Sequence, residues 1–336
     1  MMDEQEPLLR IENLKKYFNV KDNHKKVILK AVDGISMDIK AGETVGLVGE
    51  SGCGKSTFGR AVLQLHSITS GKVYFRGQDI TGWNEKELRP LRKDMQIIFQ
   101  DPFASLNPRK TIFETVIAPL DAFDIGTKQG RREKVQKMLE FVGLPEYQFH
   151  KLPHEMSGGQ RQRAVIARAM ITDPAFVVCD EPVSALDVSV RAQVLNLMKD
   201  AQKASGVSYL FISHDMSVIR YLCDKVAVMY LGRLVEYGTK EEIFGNPLHP
   251  YTKALLSAIP VPDVGAKKHE RIRLVGDVPS PLYPPAGCRL HNRCPYATEE
   301  CSDEGVAQML KVNEDHFVAC PFTEKFEARK AAKESA

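Results

Sequence analysis

The run Gly49-Glu50-Ser51-Gly52-Cys53-Gly54-Lys55-Ser56 places two glycines, a lysine and a hydroxyl at the spacing G-x-x-x-x-G-K-[ST]. That spacing is what a phosphate-binding loop requires. Glycines let successive backbone N–H groups turn inward around phosphate oxygens, and a following helix adds the partial positive charge of its N-terminus. Lys55 can then reach the β- and γ-phosphates and Ser56 can offer its hydroxyl to Mg²⁺, with Gly49, Ser51, Gly52, Cys53, Gly54 and Thr57 completing the cradle. An ordinary glycine turn is the competing reading. The context argues against it, because the run follows the apolar stretch Thr44–Val48 and opens a helix-forming stretch from Lys55 to about Leu65. Triphosphate hydrolysis also needs a second magnesium partner and a group that activates water. Phe176-Val177-Val178-Cys179-Asp180 ends an apolar run on an acid, and Glu181 follows at once. Asp180 suits the magnesium's water shell and Glu181 suits a general base. Pro182 behind them favours a strand end facing a ligand over a surface turn.

Such residues need a rigid scaffold. Leu8–Ile11, Val27–Leu29, Thr44–Val48, residues 72–76 and 95–99, Ala175–Asp180 and Ser208–Ser213 read as strands. The stretch Ile112–Val142 reads as helical, closed by Gly143 and Pro145, and another helix covers about Val190 to Ala204. Val226–Tyr230 and Arg233–Tyr237 frame Leu231-Gly232 as a hairpin. Alternating buried strands and helices predict an α/β core on a parallel sheet. After Gly245 the texture changes to proline-rich and loop-like, which predicts a separate small extension over 246–325 and a frayed, charged tail over 326–336.

The composition, 43% hydrophobic and 26% charged over 336 residues, is that of a globular chain. A net charge of +3 gives no bulk attraction for nucleic acid or an anionic membrane surface. No apolar run approaches the ~20 residues of a spanning helix, and the acidic start Met1–Glu6 lacks a signal-peptide core. The expectation is a cytosolic chain whose seven cysteines are thiols or metal ligands rather than disulfides.

Further motifs give the chain a family likeness. Met156-Ser157-Gly158-Gly159-Gln160-Arg161-Gln162-Arg163 resembles the LSGGQ signature of ABC (ATP-binding cassette) transporter ATPases, with Met for the usual Leu. Gln100 resembles that family's Q-loop glutamine, Ser184–Asp187 its D-loop and His214 its switch histidine. Tyr17 is placed like the aromatic that stacks on adenine, with Phe18 competing. This resemblance covers about residues 8–245. It implies a P-loop ATPase core with a RecA-like parallel sheet, an antiparallel β-subdomain and a helical subdomain over about 101–170. It also implies Mg²⁺ held by Ser56, Gln100 and Asp180, catalysis by Glu181, His214 and Gln100, and a second surface of Ser157, Gly158, Gly159 and Gln160 that meets ATP on a partner subunit.

Gln100–Arg109, Asn246–Thr252 and the proline-rich end are similar to oligopeptide, dipeptide and nickel importer ATPases. The resemblance implies peptide import, with nickel or another solute as alternative cargo and a soluble, non-transport ABC ATPase as the further alternative. It implies a second, similar ATPase subunit, two multispanning permease subunits, an extracellular solute-binding protein acting indirectly, and a place on the cytoplasmic face of the membrane. Cys288, Cys294, Cys301 and Cys320 are spaced C-x5-C-x6-C-x18-C, which lacks the C-x2-C pair of a zinc ribbon. Cys294-Pro295 and Cys320-Pro321 match the Cys-Pro step of some iron–sulfur ligand runs. The importer resemblance implies a [4Fe–4S] cluster there, with zinc and free thiols as the other readings. Cys53 is expected to be oxidation-sensitive, and Cys179 and Cys223 to be core residues.

Overall fold

The computed structural model describes residues 6–23, 25–259 and 271–323. Among the described residues twelve strands form two sheets. In chain order they are β1 (Leu9–Asp22), β2 (Lys25–Ile39), β3 (Thr44–Val48), β4 (Ser70–Phe75), β5 (Gln78–Asp79), β6 (Met95–Ile98), β7 (Phe176–Asp180), β8 (Ser208–Ser213), β9 (Lys225–Tyr230), β10 (Arg233–Thr239), β11 (Leu310–Asn313) and β12 (His316–Val318). The helices are α1 (Lys55–Val62), α2 (Glu85–Arg92), α3 (Pro102–Ser105), α4 (Ile112–Ala122), α5 (Lys128–Phe141), α6 (Gly158–Met170), α7 (Val188–Ser205), α8 (Met216–Leu222), α9 (Lys240–Gly245) and α10 (Pro250–Ser257).

Strands β3, β7 and β8 are buried at every position. Continuous apolar runs of this kind belong to a parallel sheet covered on both faces. They sit at its centre, in the order β11-β12-β10-β9-β3-β8-β7-β6. The pairs β9/β3, β3/β8, β8/β7 and β7/β6 are all parallel. Strand alternation splits the core in two. Val177, Cys179, Tyr209 and Phe211 face the layer of α4 to α8. Phe176, Val178, Leu210 and Ile212 face α1 and the second, antiparallel sheet, β2-β1-β4-β5. The α/β core, the antiparallel β-layer and the helical layer expected from the family likeness are therefore all present.

Two expectations change. The helical stretch 112–142 is broken: α4 stops at Ala122, and a turn with Asp124 at φ 53° and Gly126 at φ 76° reverses the chain before Thr127 caps α5. The segment after 245 is not separate from the core. Strand β12 pairs antiparallel with β10, Glu236 opposite Val318 and Gly238 opposite His316, so the extension lengthens the main sheet. Expectations for Met1–Gln5, for Pro260 and Pro262 and for the tail from Glu324 onward lie outside the described residues.

Candidate active site

The loop from Gly49 to Gly54 leaves β3 and enters α1 at the carboxyl edge of the parallel sheet. Its first and last glycines are forced by close packing. A Cβ on Gly49 would lie 2.1 Å from the Met229 carbonyl oxygen, and one on Gly54 (φ 106°) would lie 2.1 Å from that of Ala31. Lys55 is buried, and its Nζ donates to the carbonyls of Gly49 (2.8 Å) and Glu50 (3.0 Å). The ammonium is thus held at the loop's mouth.

Strand β7 delivers the acids. Asp180 is 2% exposed and accepts from the Ser56 hydroxyl at 2.7 Å. Burial pushes its carboxyl upward, against the Ser56 hydrogen bond and the Arg60 guanidinium 3.6 Å away. A hydroxyl and a carboxylate meeting beside a phosphate loop form the hard-oxygen donor set that Mg²⁺ takes, so these two residues fit that ion. Glu181 sits at φ 48°, a left-handed conformation that costs ~1–3 kcal/mol for a non-glycine residue and persists where the surroundings enforce it. Its carboxylate Oε2 accepts from Gln100 Nε2 at 3.0 Å and lies 3.3 Å from His214 Nδ1. Residues from three strand ends, 100, 181 and 214, therefore converge on one carboxylate.

Lys55, Ser56, Gln100, Glu181 and His214 line one cleft of about 630 Å³, with Asp180 buried behind Ser56, a volume within the range of small-molecule sites. Ser51 to Thr57 form its floor, with Gln100, Glu181 and His214 on one side. Leu231, Gly232 and Pro281 form another wall, which sequence reasoning did not anticipate. The aromatic at the cleft is Phe18. Tyr17 is turned away, with its hydroxyl hydrogen-bonded to Asp33, because neighbours on β1 point to opposite faces. Cys53 also departs from expectation. It is 5% exposed and burial raises its thiol pKa, which disfavours the reactive thiolate.

An ABC transporter family model matches residues 32–184, and the model for the C-terminal region of oligopeptide/dipeptide transporters matches residues 235–301. The oligopeptide transport ATP-binding protein AppF of Bacillus subtilis is 50% identical over 321 residues, covering 94% of this chain and 97% of that protein. OppF of Salmonella typhimurium is 46% identical over 327 residues, covering 95% and 97%. The chain belongs to the ATP-hydrolysing subunits of the oligopeptide ABC transporter family. Among solved structures, the cassette MJ0796, a dimer bound to ADP and Pi, is 28% identical with a TM-score of 0.63, covering 69% of this chain and 98% of that one. CbiO1 of Clostridium perfringens, part of the transporter complex cbiONQ, is 28% identical with a TM-score of 0.62, covering 72% and 92%.

The signature of this ABC ATPase lies apart from its own cleft. Ser157 caps α6: its hydroxyl accepts from Gln160 N–H while Gln160 Oε1 accepts from Ser157 N–H. Ser157 and Gly158 are exposed, Gly159 and Gln160 half-buried, and Val190 fills the space a Cβ on Gly159 would need. None of the four lines the cleft with Lys55. Phe103, after Gln100, is likewise exposed and stacks under Arg161. Among the described residues no helix is long and apolar enough to cross a membrane.

In the extension, Cys288, Cys294, Cys301 and Cys320 all line one small cavity beside His249 and Leu290. Burial raises the thiol pKa of Cys288, lifts Cys294 to about 11 and Cys320 to about 12. Among the described residues no group of three or more His, Cys, Asp or Glu has the arrangement of a metal-ion site. Cys179 and Cys223 are fully buried in the core.

Proposed function

We propose that this ATPase powers peptide uptake as one of two similar cassettes that close on ATP at the cytoplasmic face, beneath two multispanning permease subunits. The observation that carries the chemistry is the Glu181 carboxylate, fixed by Gln100 and His214 across the cleft from Lys55 and Ser56. Lys55 and the inward N–H groups of the loop bind the β- and γ-phosphates. Ser56 and Asp180 would hold Mg²⁺, which when bound offsets charge on the phosphate oxygens. Both contacts to Glu181 fall on Oε2, so Oε1 is the atom that takes a proton from the attacking water. His214, at the cleft mouth, holds that carboxylate in line with the γ-phosphate. Phe18 offers its ring to the adenine, and Ser157, Gly158, Gly159 and Gln160 serve the partner's nucleotide.

Peptide as cargo rests on relatives named for oligopeptide transport and on the match to the C-terminal region of that family. Disrupting the gene and following uptake of labelled oligopeptides, dipeptides and nickel tests it. Loss of peptide uptake alone is expected. Loss of nickel uptake with peptide uptake intact would replace peptide by metal.

The four late cysteines suit one [4Fe–4S] cluster with a structural role. Their support is convergence on a single cavity from positions 32 residues apart in sequence (Cys288 to Cys320), in a segment with few regular elements. Protein purified without oxygen should be brown, absorb near ~400 nm and carry about four irons per chain. One zinc per chain, or four freely reacting thiols without metal, would remove the cluster.

A further inference from the structure

Two arginines adjoin cysteines of that site in sequence, and one touches the nucleotide loop while the other bears on it through a turn. Arg293, beside Cys294, donates to both oxygens of the Glu50 carboxylate (3.0 and 3.3 Å) and to the Tyr230 hydroxyl at 3.3 Å. Glu50 is the second residue of the phosphate loop. Its backbone N–H donates to the Tyr251 hydroxyl from α10 at 2.8 Å, so the extension holds this residue by side chain and by main chain. Arg289, beside Cys288, donates to the Leu231 carbonyl and is ion-paired with Asp33 on β2. The next residue, Gly232, donates its N–H to the carbonyl of Cys53, also in the loop, at 2.9 Å. Arg289 thus bears on the loop through one turn, and Arg293 touches it directly. Leu231 and Gly232 are themselves a wall of the cleft, and Pro281 of the extension adds to it.

The Glu50 carboxylate matters electrostatically. It is attached to a loop whose N–H groups must collect phosphate, and an unpaired anion there repels the ligand. Arg293 neutralises it, and at 11% and 28% side-chain exposure the pair is less screened than a surface ion pair.

We propose that Arg293 and Arg289 are positioning residues for the phosphate loop, and that through them the state of the four-cysteine site sets nucleotide affinity. This rests on the reading of that site as an occupied centre. An ordered centre fixes Cys288 and Cys294, hence the backbone from which both guanidiniums extend. When the centre is lost the guanidiniums lose register, the loop loosens and Glu50 is uncompensated.

The test is binding of ATP and ADP to the full chain, purified without oxygen and read by displacement of a fluorescent nucleotide, with iron counted on the same samples. Arg293→Gln should weaken both nucleotides by about 5- to 50-fold, the usual range for coupled sites. Adding Glu50→Gln should restore much of that loss, because it removes the uncompensated charge. A merely structural role predicts no such rescue. Cys294→Ser should weaken nucleotide binding by a similar factor, and the double variant Cys294→Ser/Arg293→Gln should be no worse than the weaker single variant, since both break one route. Iron-containing protein whose affinity is unchanged by Arg293→Gln, or whose two losses multiply, overturns the inference alone. Iron-free wild-type protein in which Arg293→Gln still weakens binding and Glu50→Gln still rescues it tells against the cluster while supporting the positioning role.

Discussion

Glu181 carries two constraints at once, a left-handed backbone and a carboxylate gripped from two sides. The strain turns the chain sharply at the end of β7, so that Asp180 stays buried, bonded to Ser56 of the cleft floor, while the next side chain faces the cleft. Glu181→Gln keeps the shape and a hydrogen-bonding group but cannot take a proton. Hydrolysis should fall by ~10²–10⁴-fold, the worth of a placed general base, while ATP binding persists. Single-turnover measurements with near-normal rates would show that another group is the base. Lys55→Ala should differ in kind. It removes a charge that meets phosphate in the ground state as well, so equilibrium nucleotide binding itself should weaken. These residues could be read from sequence because each is fixed by its immediate neighbours: glycines before a lysine, an acid at the end of an apolar run. The aromatic that lines the cleft was not, since Tyr17 and Phe18 are equivalent in type. Only the pairing of β1 with β2, which sets Phe18 opposite Leu29 on the cleft side, separates them.

The least legible elements are β11 and β12. They are short and β11 is exposed throughout: Leu310-Lys311-Val312-Asn313 alternates apolar and polar residues but only over one short run, and His316-Phe317-Val318 does not alternate. Their place is set by a buried polar contact instead. His316 is fully buried, with Nε2 2.8 Å from Glu236 of β10 and Nδ1 3.2 Å from Glu242 of α9. Burial alone would depress its pKa, but the Glu236 hydrogen bond and the charges of Glu236 and Glu242 outweigh it and raise the pKa above the ordinary 6.5. A folded pKa above the unfolded one means that the protonated pair contributes its full stability below 6.5 and loses it as pH rises through the raised value. Amide exchange of residues 316–318, corrected for intrinsic rates and followed from about pH 6 to about pH 9, should therefore show protection falling as pH rises. His316→Gln should flatten that dependence. Protection that is constant, or that grows with pH, would assign the docking to the backbone ladder alone. The break between α4 and α5 is a milder case: helix-forming residues dominate 112–142, and the turn rests on one short local signal, Gly126 at φ 76° followed by the N-cap Thr127, inside that long helical pattern.

At the scale of the molecule, the two halves of the ATP chemistry do not meet within one chain. Lys55, Ser56 and Glu181 share a cleft, while the signature caps α6 elsewhere and presents Ser157 and Gly158 to solvent. A helix N-terminus with an exposed serine and no side chains at the next two positions is an anion-binding surface, and the Ser157 hydroxyl, while accepting from Gln160 N–H, keeps its own proton to donate. In the proposed pairing, a second cassette facing this surface brings its γ-phosphate to it. Each half-site was legible in the sequence because it is a local signal, and its proposed completion involves two chains. Turnover by the isolated subunit should accordingly be low and rise more than linearly with concentration. Adding the partner cassette should raise it further. Ser157→Arg should leave nucleotide binding at the variant's own loop intact, because the substitution is remote from that cleft. In a mixed pair it should stop hydrolysis at the site whose loop belongs to the partner, since a bulky cation fills the space the γ-phosphate must enter. Pairing Ser157→Arg on one subunit with Glu181→Gln on the other separates the two sites. Both changes then fall on the site whose loop carries Glu181→Gln, and the other site should keep working. Full activity at every dilution of a strictly monomeric preparation would defeat the two-chain site.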